Sequence, residues 1–194
     1  MLNDGVGFAE KKGGCMKLAK FRYLLAIVAL LWSGWAVAQQ PKNNIVETAA
    51  SDGSFHTMVS FIRASGMVAT LRGKGPYTIF APTDAAFTRL PADVQRELFE
   101  NPHLLPIFLN RYIVSGKLTS ERVFHRPRVR TLDGRNLSIE TTNAGMVLVN
   151  HGRLIKPDIV AGNGVIHGID SVDMGLVHEF LEEVQKYKTS ASRH

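Results

Sequence analysis

Seven histidines are the most obvious chemical groups of this chain: His56, His103, His125, His151, His167, His178 and His194. No two of them share a ligand spacing on one recognisable element. Zinc sites usually announce themselves by paired His or Cys at short fixed intervals. His167 and Asp170 come nearest to an acid–base pair. A spacing of three on a strand sends the two side chains to opposite faces, so they do not meet there. No Gly-x-Ser-x-Gly elbow, no His-Glu-x-x-His and no phosphate-cradling glycine loop occurs. The expectation is a protein with no catalytic residues, no cofactor and no metal. The alternative is an envelope enzyme or metal-binding protein whose site assembles in three dimensions from scattered His and Asp residues.

The densest positive charge lies elsewhere. Arg122, Arg126, Arg128, Arg130 and Arg135 crowd one stretch together with His125. Arg126, Arg128 and Arg130 alternate with Pro127 and Val129. On a strand, a period of two places all three guanidinium groups on one face. Such a stripe can grip anionic sugars, lipid phosphates or a partner's carboxylates in bidentate fashion. The simpler reading of the same residues is a solvated sheet edge, charged against edge-to-edge pairing.

Composition sets the frame for these residues. With 45% hydrophobic and 21% charged side chains, the chain can bury a core and is not globally disordered. Tyr23 to Val37 is an uncharged, mostly apolar run. Lys17, Lys20 and Arg22 precede it, and the small residues Ala36 and Ala38 close it. That order predicts a secretory signal peptide cleaved after Ala38. The run is shorter than the roughly 20 residues that span a bilayer, so membrane contact is expected only through this segment. Residues 1–15 sit ahead of it as an over-long N-terminus, and Met16-Lys17 is the more natural start. The single cysteine, Cys15, also lies there. Residues 1–38 hold five Lys/Arg and two Asp/Glu, so the remainder carries 18 basic against 15 acidic side chains, net +3. That is too little to argue for nucleic acid. The expected location is periplasmic or extracellular.

The elements that must position these groups follow from periodicity. Residues 39–43 read as a tether. Asn44 to Ala50 is a first helix. Phe55, Met58, Val59 and Ile62 then mark one apolar helix face, with Ser54 as its cap and Gly66 as its stop. A short helix over Met67 to Leu71 ends at Gly73. Tyr77 to Ala81 is a buried strand, and Thr83 caps the helical turn after Pro82. Helices follow over Pro91–Leu98 and His103–Asn110, then a strand at Tyr112–Val114 and a short helix capped by Thr119. Val129–Leu132, Leu137–Thr141, Met146–Val149 and Val165–Val172 are strands separated by Asp-Gly and Asn-Gly type turns. After Gly175, Leu176, Phe180, Leu181 and Val184 stripe a last helix. The fold class is α+β.

Three blocks in this order carry a resemblance. Tyr77 to Phe87 (YTIFAPTDAAF), followed by Leu90-Pro91, is the first; Tyr112 to Leu118 (YIVSGKL) is the second; Asn163 to Val172 (NGVIHGIDSV) is the third. Together they resemble the fasciclin domain family over about residues 44–174, leaving 175–194 as an additional C-terminal helix and tail. The resemblance implies a β-sandwich wedge wrapped by several helices. It implies a single secreted domain in cell adhesion or the extracellular matrix, with protein or glycan partners and no catalytic centre. Phe80, Pro82, Thr83, Asp84, Phe87, Tyr112, Gly164, His167 and Asp170 are the motif residues, read mainly as fold determinants. Pro157, Asp158 and Ile159 match a stretch linked to partner binding in animal members, although Asp158 on its own reads as a cap or turn before a strand. Two places depart from the family. Arg111-Tyr112 stands where a Tyr-His pair is usual, and Gly175 stands where a Pro often closes the domain. The function expected is an interaction module for a protein or an anionic glycan at the cell envelope or surface.

Overall fold

The computed structural model describes residues 43–73 and 75–192. The expected signal peptide, its cleavage after Ala38 and most of the tether lie outside the described residues. The described chain runs α1 (Ile45–Asp52), α2 (His56–Ala64), α3 (Val68–Arg72), β1 (Tyr77–Pro82), α4 (Asp84–Thr88), α5 (Ala92–Glu100) and α6 (Leu105–Leu109). It continues with β2 (Ile113–Ser115), α7 (Ser120–Phe124), β3 (Arg128–Arg130), β4 (Asn136–Thr141), β5 (Val147–Val149), β6 (Gly152–Ala161), β7 (Gly164–Ile169) and α8 (Met174–Ala191).

The strands lie in the order β2-β1-β7-β6-β5-β4-β3. β1 and β7 pair in parallel at the centre, Tyr77 against Gly164 through Pro82 against Ile169. Both are buried along nearly their whole length, as parallel strands covered on two faces must be. Gly164 is required by this pairing, because a Cβ there would stand 2.2 Å from the Tyr77 carbonyl oxygen. The two ends of the order also meet. Val114 bridges Thr131, and Leu132 N–H donates to the Ile113 carbonyl at 2.8 Å. The sandwich wedge is therefore one hydrogen-bonded sheet folded back on itself, which leaves little unpaired edge.

The helices cover the sheet, and α8 packs on the body of the domain. Leu176, Val177, Phe180 and Val184 are buried, and the Phe180 ring meets Phe108 edge-on at 6.3 Å. Val177 takes the place in the stripe that periodicity gave to Leu181, which is only half-buried. Asp173 caps this helix, accepting from Gly175 N–H at 2.8 Å.

Four points of the local reading are corrected. Ser54 does not cap α2: its hydroxyl receives Lys156 Nζ at 2.7 Å, and the helix accepts its cap from Asp84. Thr83 and Thr119 occupy N-cap positions but make no side-chain cap bond. The longest strand, β6, was not expected at all. Lys156-Pro157-Asp158 breaks its alternation, and register shifts at Leu154/Lys156 and Lys156/Ile159 bulge the strand where those residues fall.

Candidate functional site

The residues of the three sequence blocks converge on one buried polar assembly. His167 is wholly enclosed in β7 and stacks on Phe80, centroids 5.3 Å apart. Its Nε2 lies 2.7 Å from the Leu118 carbonyl, and its Nδ1 accepts from Asp158 N–H at 3.2 Å. Those two bonds need a neutral imidazole with its proton on Nε2. Burial pushes its pKa below the ordinary value, against the opposing pull of the Leu118 carbonyl and Asp158. Thr78 Oγ1 donates to the Gly116 carbonyl at 2.7 Å and accepts from Leu118 N–H at 2.9 Å. Together they clamp the segment that leads into α7.

Asp84 acts across a long stretch of chain. Its carboxylate accepts from His56 N–H at 3.1 Å and Thr57 N–H at 2.7 Å, capping α2, and His56 Nδ1 lies 2.9 Å away. Burial would raise its pKa, but the bonds from Thr57 and His56 outweigh it and hold the carboxyl below the usual value. Phe87 sits in the core against Phe61, centroids 5.4 Å apart. Pro82 ends β1 opposite Ile169, so Thr83 N–H makes the next bond, to the Ile169 carbonyl at 3.0 Å.

His167 and Asp170 share no contact. Asp170 lies beyond β7 and receives Arg153 through its backbone N–H at 2.8 Å and its Nε at 2.7 Å. Among the described residues no group of three or more His, Cys, Asp or Glu side chains is placed to hold a metal ion.

The Arg111-Tyr112 departure becomes intelligible. Tyr112 is fully buried, and its hydroxyl accepts from Asp173 N–H at 3.1 Å. Burial raises its pKa, and the Asp173 charge adds to the rise while the backbone bond opposes it. Arg111, with only 11% of its side chain exposed, pairs with Asp133 in the β3–β4 turn and with Glu179 on α8. Arg135 joins the same Glu179. Arg111-Tyr112 thus ties the sheet to the C-terminal helix.

Pro157, Asp158 and Ile159 point to three different tasks. Asp158 lies inside β6 at φ 57°, not before a strand, and accepts from Ser120 N–H at 2.8 Å at the start of α7. Ile159 packs partly buried against the core. Pro157 is exposed beside a surface groove.

The arginines gather on the outside of the β3–β4 end. Arg128 and Arg130 belong to β3 with the buried Val129 between them, and Arg126 precedes the strand. All three are exposed, and among the described residues none forms an ion pair. Ile139 N–H bonds the Pro127 carbonyl at 2.9 Å, which brings Arg126 level with Glu140. Glu140 stands opposite Leu148, and Leu148 opposite Arg153. One cross-strand row thus runs from Arg126 to Arg153.

Beside Arg153 opens the groove, about 350 Å³ in volume, between α7 and the β5–β6 hairpin. Phe124, Met146, Leu154, Ile155 and Pro157 line it. Phe124 is 42% exposed and Met146 and Ile155 are each 45% exposed. Sequence reasoning missed this apolar surface because isolated apolar residues on strands read as core. The one available signal was that Met146 and Leu148 are as apolar as their buried neighbours Val147 and Val149, too many for a strand with one dry face.

Known proteins bear the same architecture. The family model described as Fasciclin domain matches residues 53–173. The Synechocystis protein sll1735 is 39% identical over 129 residues, 66% of this chain and 96% of that protein. The pig transforming growth factor-beta-induced protein ig-h3 is 32% identical over 132 residues, 68% of this chain and 19% of that much longer protein. A solved FAS1 domain pair from the insect cell adhesion molecule Fasciclin I superposes with TM-score 0.61 at 18% identity, covering 71% of this chain and 53% of that one. This chain belongs to the fasciclin domain family.

Proposed function

We propose that the protein is a non-catalytic interaction module, exported through residues 1–38, that holds an anionic partner at the cell envelope or surface. One observation carries the reading: Arg126, Arg128 and Arg130 are exposed together and unpaired among the described residues, while the buried motif residues are spent on one another. Guanidinium groups left free on one face are poised for carboxylate, sulfate or phosphate oxygens. Membership of the fasciclin domain family supports the same reading.

The test is adsorption of the purified protein to heparin and to envelope fractions across a salt series. Exposed cation contacts weaken as salt screens them. Arg126→Ala, Arg128→Ala and Arg130→Ala together should lower retention by about tenfold with an unchanged circular dichroism spectrum. Equal retention by the triple variant and the parent overturns the reading.

A further inference from the structure

We infer that the groove beside Arg153 receives one bulky apolar side chain from an acidic, extended segment of a partner protein. The inference rests on the function proposed above and narrows its partner to a polypeptide.

Three features of this end of the molecule point to that occupant. The first is shape. Phe124 forms one wall, and Met146 and Ile155 form the other, around a cleft of about 350 Å³. A cleft of that size admits a bulky aromatic or branched side chain together with part of the chain that carries it. A lipid surface, by contrast, is met by apolar groups that protrude. The second is polarity. Phe124, Met146 and Ile155 gather partly exposed apolar surface at one place, and a sulfated sugar is mostly polar and fills it poorly. The third is charge. Arg153 lines the groove itself, and Arg126 stands two residues past Phe124 in sequence and in one cross-strand row with Arg153. Arg128 and Arg130 extend the cations along β3. Glu140 lies in that row and Asp170 pairs with Arg153, so the surplus positive charge comes from Arg126, Arg128 and Arg130, which form no ion pair among the described residues. An apolar anchor flanked by carboxylates is the peptide chemistry that satisfies cleft and rim together.

The probe is a fluorescent glutamate-rich peptide of about ten residues with one central phenylalanine, compared with the same peptide carrying alanine at the centre. Heparin serves as the polyanion without an anchor. The phenylalanine peptide should bind at least about tenfold tighter than the alanine peptide. The paired change Met146→Ser and Ile155→Ser, both on exposed side chains, should erase that preference and leave heparin binding intact. Equal binding of the two peptides overturns the inference, as does a preference that survives Met146→Ser and Ile155→Ser. If heparin still binds through the arginines in either case, the anionic-partner reading stands and only the groove assignment falls. If neither heparin nor peptide binds, both fall.

Discussion

Removing the Asp84 carboxylate should uncap a helix that begins 28 residues earlier in the chain. In the structure this side chain receives His56 N–H at 3.1 Å and Thr57 N–H at 2.7 Å, the two leading donors of α2. Phe55, at the N-cap position, supplies no side-chain bond, so no local group replaces the loss. Capping bonds to a carboxylate are charge-assisted and lie at the positive end of the helix, which puts the cost of Asp84→Ala at about 2 kcal/mol. For a domain of this size that is a drop of roughly 4–8 °C in Tm. The neighbouring His56 ring gives a control. It is 70% exposed, so His56→Ala should cost under about 0.5 kcal/mol, as exposed pairs do. Acid should expose the same bond. The folded carboxyl titrates below its ordinary value of 3.8, so its contribution is complete above that value. It is lost as pH falls through the folded value, and the parent and Asp84→Ala should converge there. Thermal melts followed by circular dichroism at neutral and acid pH measure both effects. The capping argument fails if Asp84→Ala melts with the parent at neutral pH, or if His56→Ala costs as much as Asp84→Ala.

His167 and Arg111 give two further expectations. The neutral, buried imidazole contributes stability above its ordinary pKa of 6.5 and loses it as pH falls below that value. His167→Gln should therefore be less stable near neutrality yet show a flatter acid limb in urea titrations; parallel pH profiles would refute this. Arg111→Ala should cost about 1–3 kcal/mol, because it leaves Asp133 without its cation and loosens Glu179 on α8. An unchanged urea midpoint would show that the ion cluster does not hold the C-terminal helix.

Much of the fold could be read locally. β1 and β7 announced themselves as short apolar runs, and the hairpins of β3 to β5 by their Asp133-Gly134 and Asn143-Ala144-Gly145 turns. What escaped was non-local or locally disguised. β6 hid behind Lys156-Pro157-Asp158, whose polarity and ring belong to bulges that only pairing with β7 makes intelligible. The Asp84 cap escaped because its helix lies far upstream, with Ser54 offering a nearer acceptor by sequence alone. The arginine alternation placed Arg128 and Arg130 on one strand, whereas Arg126 lies before it, level with Glu140 of the next strand. The groove draws Phe124 from a helix and Met146 and Ile155 from two strands, and no single period spans three elements.

The parallel union of β1 with β7 also governs when this molecule can become itself. Tyr77 meets Gly164, and Pro82 meets Ile169, so this pairing waits for nearly the whole domain to be synthesised, although β1 can pair with β2 before then. Pairings between such distant segments are slow to close. Until then the helices made early have only part of the sheet to cover and gain little from their own short lengths. In a chain arranged this way the last strand made is the one that joins the N-terminal part of the sheet to the C-terminal part.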